Sequence, residues 1–327
     1  MLDRSTSRGP PRSALVVLLA LGAGCQASVA APSGAPPRGP APAQPVPPQP
    51  AAPVTPLPPG VSGTSTSAWK GFPIACGNGQ TLILDHAQLP ELEHPLVRAT
   101  GDCHVTIRAS RLGFKRVPGV DIGVIIWMSD RSELSMTDTV VDPAALSLGD
   151  STKTSIHGGS ITDGVLEAPT TVIGSLNCVD ERVELDHVTL TGGVSLCHGT
   201  FVLRDVTMAS KSARLDIFST KSAELERVSV TGGLDTVLRV GRDGNVRAKD
   251  CSFTSVRGTK TVVVEEHGSL VLVGGKIVQS ATATGYSALQ VWRTGKAEVQ
   301  GTTITGSIVA GKGATVVGVP AGDVKQE

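Results

Sequence analysis

The chain has 327 residues and 33.5 kDa, with 29 basic and 29 acidic side chains, so its formal net charge is zero. That balance argues against a nucleic-acid binder, which needs a concentrated positive field. Aromatics make up only 3%, whereas Gly numbers 38 and Pro 22, a composition of turns and short strands and not of an α-helical enzyme.

The N-terminus reads as an export signal. Arg4, Arg8 and Arg12 form a basic segment, and Ala14 to Leu21 an apolar one of eight residues, too short to span a bilayer. Leu21-Gly22-Ala23-Gly24-Cys25 follows directly. Small residues before a cysteine at this place resemble the bacterial lipoprotein lipobox, although Gly22 stands where that family has Leu, Val or Ile. The resemblance implies cleavage of residues 1–24 and a lipid, palmitate included, on Cys25. It also implies an outer-membrane address, because Gln26 and not Asp follows the cysteine. The mature chain would carry 26 basic and 28 acidic side chains, a net charge near −2.

Residues 25–68 read as a disordered linker. From 26 to 68 there are 13 prolines among Ala, Ser, Gly, Thr and Val, with no Phe, Tyr, Trp, Ile or carboxylate. Such a stretch buries too little apolar area to offset its ordering entropy and favours extended polyproline II.

Residues 69–327 form the expected folded domain. From residue 81 a short pattern recurs: apolar, any, apolar, polar, polar, small or apolar, polar, apolar. Instances run from Leu82–Leu89 through Val183–Leu190 and Val246–Phe253 to Ala297–Ile304, with a mean spacing of about 23 residues. Alternation of period two marks strands with one face buried. In Val183, Leu185, Val188 and Leu190 the parity breaks after 185, which predicts a bend between two short strands. A second apolar segment follows in most units, as in Leu215-Asp216-Ile217, Val237-Leu238-Arg239-Val240 and Leu289-Gln290-Val291. Three short strands per unit make one rung of a solenoid, and stacking about ten rungs creates a continuous core. The fold class is therefore all-β. The pattern resembles the right-handed parallel β-helix of the pectate-lyase-like superfamily.

One-rung spacings also pair the cysteines. Cys178 and Cys197 are 19 residues apart, Cys76 and Cys103 are 27 apart, and stacked positions near 5 Å suit disulfides in an exported protein. Cys251 falls on a small-or-apolar position and reads as a buried thiol, not a nucleophile. No Cys or His spacing matches a zinc site, so no metal or cofactor is expected.

The resemblance carries an enzyme alternative, a polysaccharide lyase, glycoside hydrolase or epimerase. Its candidate patch is Asp186, His187, Arg204 and Asp205, which would be one rung apart. The leading expectation is non-catalytic: a membrane-anchored structural, adhesive or recognition surface toward a polysaccharide or an envelope protein, with no catalytic residues. Insertions between rungs would protrude as binding loops near Lys115, Arg116, Glu167 and Tyr286. Phe201 and Phe253 fall on inward positions, while Trp127 and Trp292 end second strands and suit an exposed rim.

Overall fold

The computed structural model describes residues 56–115, 123–149, 151–162, 182–232, 235–281 and 285–327. The export signal, Cys25, most of the linker, Arg116, Glu167 and Cys178 lie outside the described residues. Among those described, no helix is long and apolar enough to cross a membrane.

The fold is a parallel β-solenoid of about nine turns, close to the ten rungs expected. Each rung runs from a five-residue strand through a corner to a second short strand, and then to a third. Eleven first strands and the short strand Val61–Ser62 make a sheet of twelve, and the second strands stack into a sheet of ten. The third strands form two sheets, one of four near the N-terminus and one of seven toward the C-terminus. Register is maintained from rung to rung: Val183 pairs with Phe201, then Ala223, Val246, Leu270 and Ala297.

Period-two alternation dictates the core. In the first sheet the second and fourth residue of each strand point inward, giving ladders such as Leu185, Leu203, Leu225, Ala248 and Leu272, all at most 2% exposed. Phe201 and Phe253 belong to this core, as expected. Val188 and Leu190 are inward too, so the parity break is real. One residue in the left-handed region causes it, for example His187 at φ 55°, Asp205 at 52°, Arg227 at 51° and Asp250 at 53°. Such a backbone costs a non-glycine residue about 1 kcal/mol. Hydrogen bonds to the next rung hold it in place: the His187 N–H donates to the Arg204 carbonyl, Asp205 to Glu226, and Arg227 to Lys249.

Order begins before residue 69. Val61–Ser62 pairs antiparallel with Thr81–Asp85, and Thr64–Ala68 forms a 3-10 helix, so the last residues assigned to the linker by composition belong to the fold. Gly60 and Gly63 permit the close approach: a Cβ would lie 2.4 Å from the Asp85 carbonyl oxygen at Gly60 and 2.3 Å from that of Thr81 at Gly63. At the other end the short polar tail is itself a strand, Val324–Gln326, parallel to Ile308–Ala310.

Cys76 and Cys103 form the expected disulfide, with Cα atoms 5.7 Å apart. Cys197 is disulfide-bonded, and its expected partner Cys178 lies outside the described residues.

Phe253→Ala should cost about 3–5 kcal/mol, because the flanking ladder residues close only partly over the void; urea unfolding reads it. Cys251 is buried, its thiol 3.3 Å from the Lys249 carbonyl, and burial pushes it up to about 11. In protein lacking Cys25, iodoacetamide at pH 8 should leave the folded chain unmodified and label one thiol once urea unfolds it.

Candidate functional site

The corner between the first and second sheets carries the side chains that the repeat pattern singled out. Two columns run along it. The last residues of successive first strands are His157, Asp186, Arg204, Glu226 and Lys249, each in register with the next. The left-handed residues beside them are Gly158, His187, Asp205, Arg227 and Asp250. From Asp186 in the first column and Asp205 in the second, the charges alternate in sign along the rungs. Arg227 grips Asp205 with two hydrogen bonds of 2.7 Å and also bonds Glu226, while Arg204 bonds Glu184 at 2.9 Å. Hydrogen bonding by Arg227 holds both Asp205 and Glu226 below the usual carboxylate range. The candidates Asp186, His187, Arg204 and Asp205 are thus neighbours, as the one-rung spacing implied. They sit at a corner where Arg204 and Asp205 have their charges paired, with Glu184 and Arg227, so these two stabilise the stacking of rungs.

A different assembly was not singled out from the sequence. It lies on the outer face of the seven-stranded sheet, where Asp216 of Arg214–Phe218 is in register with Arg239 of Leu238–Val240, and Arg239 with Val263 of Lys260–Val264. Alternation explains why: Leu215, Ile217, Leu238 and Val240 point inward and are fully buried, so Asp216 and Arg239 between them point outward. Arg239 borders a groove of about 520 Å³ whose other cations are Arg214, Arg242, Lys260 and Arg293, with Asp235, Glu265, Glu266 and Trp292 also lining it, while Asp216 lies beneath, bonded to Arg214.

The groove is ordered by its own contacts. Asp216 accepts a bond of 2.6 Å from Arg214 Nε. Arg239 Nε donates to Glu265 at 2.7 Å, and its guanidinium lies 5.5 Å from the Phe218 ring centre. Lys260 Nζ sits 5.1 Å from the Trp292 ring centre, a cation–π distance. Among the described residues Arg242 and Lys260 make no ion pair. Asp216 is 3% exposed and its Oδ1 is buried without a hydrogen bond. Burial pushes its carboxyl above the usual range against the pull of Arg214 and Arg239, and Glu265 adds to the rise.

The two predicted loop residues that are described, Lys115 and Tyr286, do not line this groove. Lys115 ion-pairs with Glu93 at 3.3 Å in the second rung. Tyr286 lies beside Ser287–Val291, and its carbonyl accepts a bond from Ser307 Oγ. Seven rungs separate the two, about 34 Å at the usual strand spacing. Trp127 and Trp292 are exposed, as expected of a rim, at 44% and 36%. The signal was a charged residue between two inward apolar neighbours in successive third strands, Leu215-Asp216-Ile217 and Leu238-Arg239-Val240.

No protein-family model matches the chain, and no curated protein or solved structure matches it either.

Asp216 makes a pH prediction. Its folded-state value exceeds the ordinary 3.8, so the folded protein keeps a proton that the unfolded chain has lost. The stability this gives is full below the ordinary value and disappears as pH rises through the raised one. The thermal midpoint of the wild type should therefore fall, relative to Asp216→Asn, as pH is raised from 4 toward neutrality. Parallel curves would show that burial does not perturb this carboxyl.

Proposed function

We propose that the protein is a non-catalytic recognition module of the cell envelope, held at the outer membrane by a lipid on Cys25, which binds an anionic polysaccharide in the groove of the third side. One observation carries the reading: five cations and a half-exposed indole border one groove on a rigid sheet. Guanidinium groups bind carboxylates in a planar, two-pronged way, and an indole face accepts the apolar face of a sugar ring. Ion pairs to Asp216, Glu265 and Glu266 hold three of the arginines in preset orientations, which lowers the ordering cost of binding. The remaining two cations, Arg242 and Lys260, are the ones a uronate or sulfate would neutralise.

The second reading is an enzyme of the pectate-lyase-like superfamily, a lyase, hydrolase or epimerase. It rests on Asp216, a carboxyl with a raised pKa near a second carboxylate, Glu265, as glycosidic cleavage requires. Against it, Oδ1 of Asp216 is sealed from solvent and Oδ2 is engaged by Arg214, so neither oxygen is presented to a substrate.

Purified protein incubated with uronate-rich, sulfated and neutral polysaccharides separates these readings. A thermal shift with acidic chains that keep their length, reduced at least tenfold in affinity by Arg239→Ala or Trp292→Ala, is the expected outcome. Chain shortening, abolished by Asp216→Asn, would replace recognition by catalysis. No response to any glycan would discard both and favour an envelope-protein partner.

A further inference from the structure

The corner between the first and second sheets holds one group that the alternating charges do not explain. His157 ends the strand Lys153–His157, and Asp186, its register partner, ends Arg182–Asp186. His187 follows in the left-handed conformation. Asp186 receives both imidazoles at once: Nδ1 of His157 lies 2.8 Å from Oδ2, and Nδ1 of His187 lies 2.8 Å from Oδ1. The two ring centres are 5.8 Å apart. A single carboxylate between two imidazole nitrogens is a ligand set, and we propose that His157, Asp186 and His187 bind a divalent first-row transition ion, with Zn²⁺ as its probe.

Distances support this. One ligand atom from each residue lies within 4.8 Å of the other two. A tetrahedral zinc ion with bonds of about 2.0–2.1 Å keeps its ligands roughly 3.3 Å apart. Closing the gap needs the ligand atoms to approach by at most about 1.5 Å, through rotation of the two imidazoles. Both side chains are more than half exposed, 58% and 64%, so little packing opposes it.

Gly158 occupies the left-handed position one rung before His187, where later rungs carry Asp205, Arg227 and Asp250, and a Cβ there would lie 2.3 Å from Oδ1 of Asp138.

An outer carboxylate completes the arrangement. Oδ2 of Asp205 lies 3.7 Å from Nε2 of His187 and is fixed by the two bonds from Arg227. When Nδ1 binds the ion, the proton of the neutral ring resides on Nε2 and points to Asp205, the partner that ligating histidines commonly have. Two imidazoles and one carboxylate suit zinc, copper or nickel and not calcium or magnesium, and three protein ligands leave a position for water. His157 and His187 are 30 residues apart in sequence. Rung register alone brings them together, which is why no zinc spacing shows in the chain.

The test is calorimetric titration of chelator-stripped protein with Zn²⁺, and with Co²⁺ followed by its visible absorption. The expected result is one saturable site, an intense tetrahedral or five-coordinate Co²⁺ spectrum, and no response to Ca²⁺. His157→Ala and His187→Ala should each weaken Zn²⁺ binding at least tenfold, with circular dichroism confirming that both still fold. Asp205→Asn should weaken it less, and Arg239→Ala not at all, because that residue lies in the groove. Absence of saturable binding overturns the proposal, as does binding that survives both histidine substitutions, since other exposed imidazoles would then be responsible.

Discussion

Every structural property of this chain descends from the way one rung is locked onto the next. The lock is a backbone one. A left-handed residue at each first corner turns the chain and at the same time sends its N–H to the carbonyl one rung on, as His187 does to Arg204 and Arg227 to Lys249. With that register imposed, residue 183 must lie over residue 201 and residue 185 over 203, and the apolar ladders follow. A slip of one residue would turn the whole strand inside out. The core is therefore a consequence of corner geometry as much as of hydrophobicity.

The same stacking sets the electrostatics. Residues at equal positions in successive rungs stand about 4.8 Å apart, where two like charges repel by about 1 kcal/mol even in water. The chain answers with alternation: Asp186, Arg204, Glu226, Lys249 in one column and Asp205, Arg227, Asp250 in the other. A mixed cluster of acids and bases arises at this corner without any demand from catalysis. On the third side the alternation is incomplete. Among the described residues, Arg242 and Lys260 of the groove make no ion pair, and Lys260 lies against the Trp292 ring.

Much of the fold was legible because its signals are local. The inward positions of Val183, Leu185, Val188 and Leu190, the core roles of Phe201 and Phe253, the buried thiol of Cys251 and the Cys76–Cys103 bond all follow from period-two alternation and a rung of about 23 residues. The groove was not legible, because its parts are spread over Arg214, Arg239, Lys260, Glu265 and Trp292, and only cross-rung register assembles them. Composition likewise misplaced the start of order: Val61 and Ser62 look like linker until the first solenoid strand offers them an edge to pair with.

The covalent link between Cys76 and Cys103 has a mechanical consequence. Tension applied to the chain ahead of residue 56 would first unzip the two-residue strand Val61–Ser62 and then lift Ile74–Cys76 from its neighbour. Peeling of that kind breaks hydrogen bonds one at a time and requires little force. The sulfur bridge stops it at the first rung by passing the load to Cys103, at the entrance to the strand His104–Arg108. Beyond that point the chain yields only when a rung is torn loose as a whole. A solenoid of this construction would stay shut under a pull along its leading end that would unravel the same fold with those two cysteines reduced.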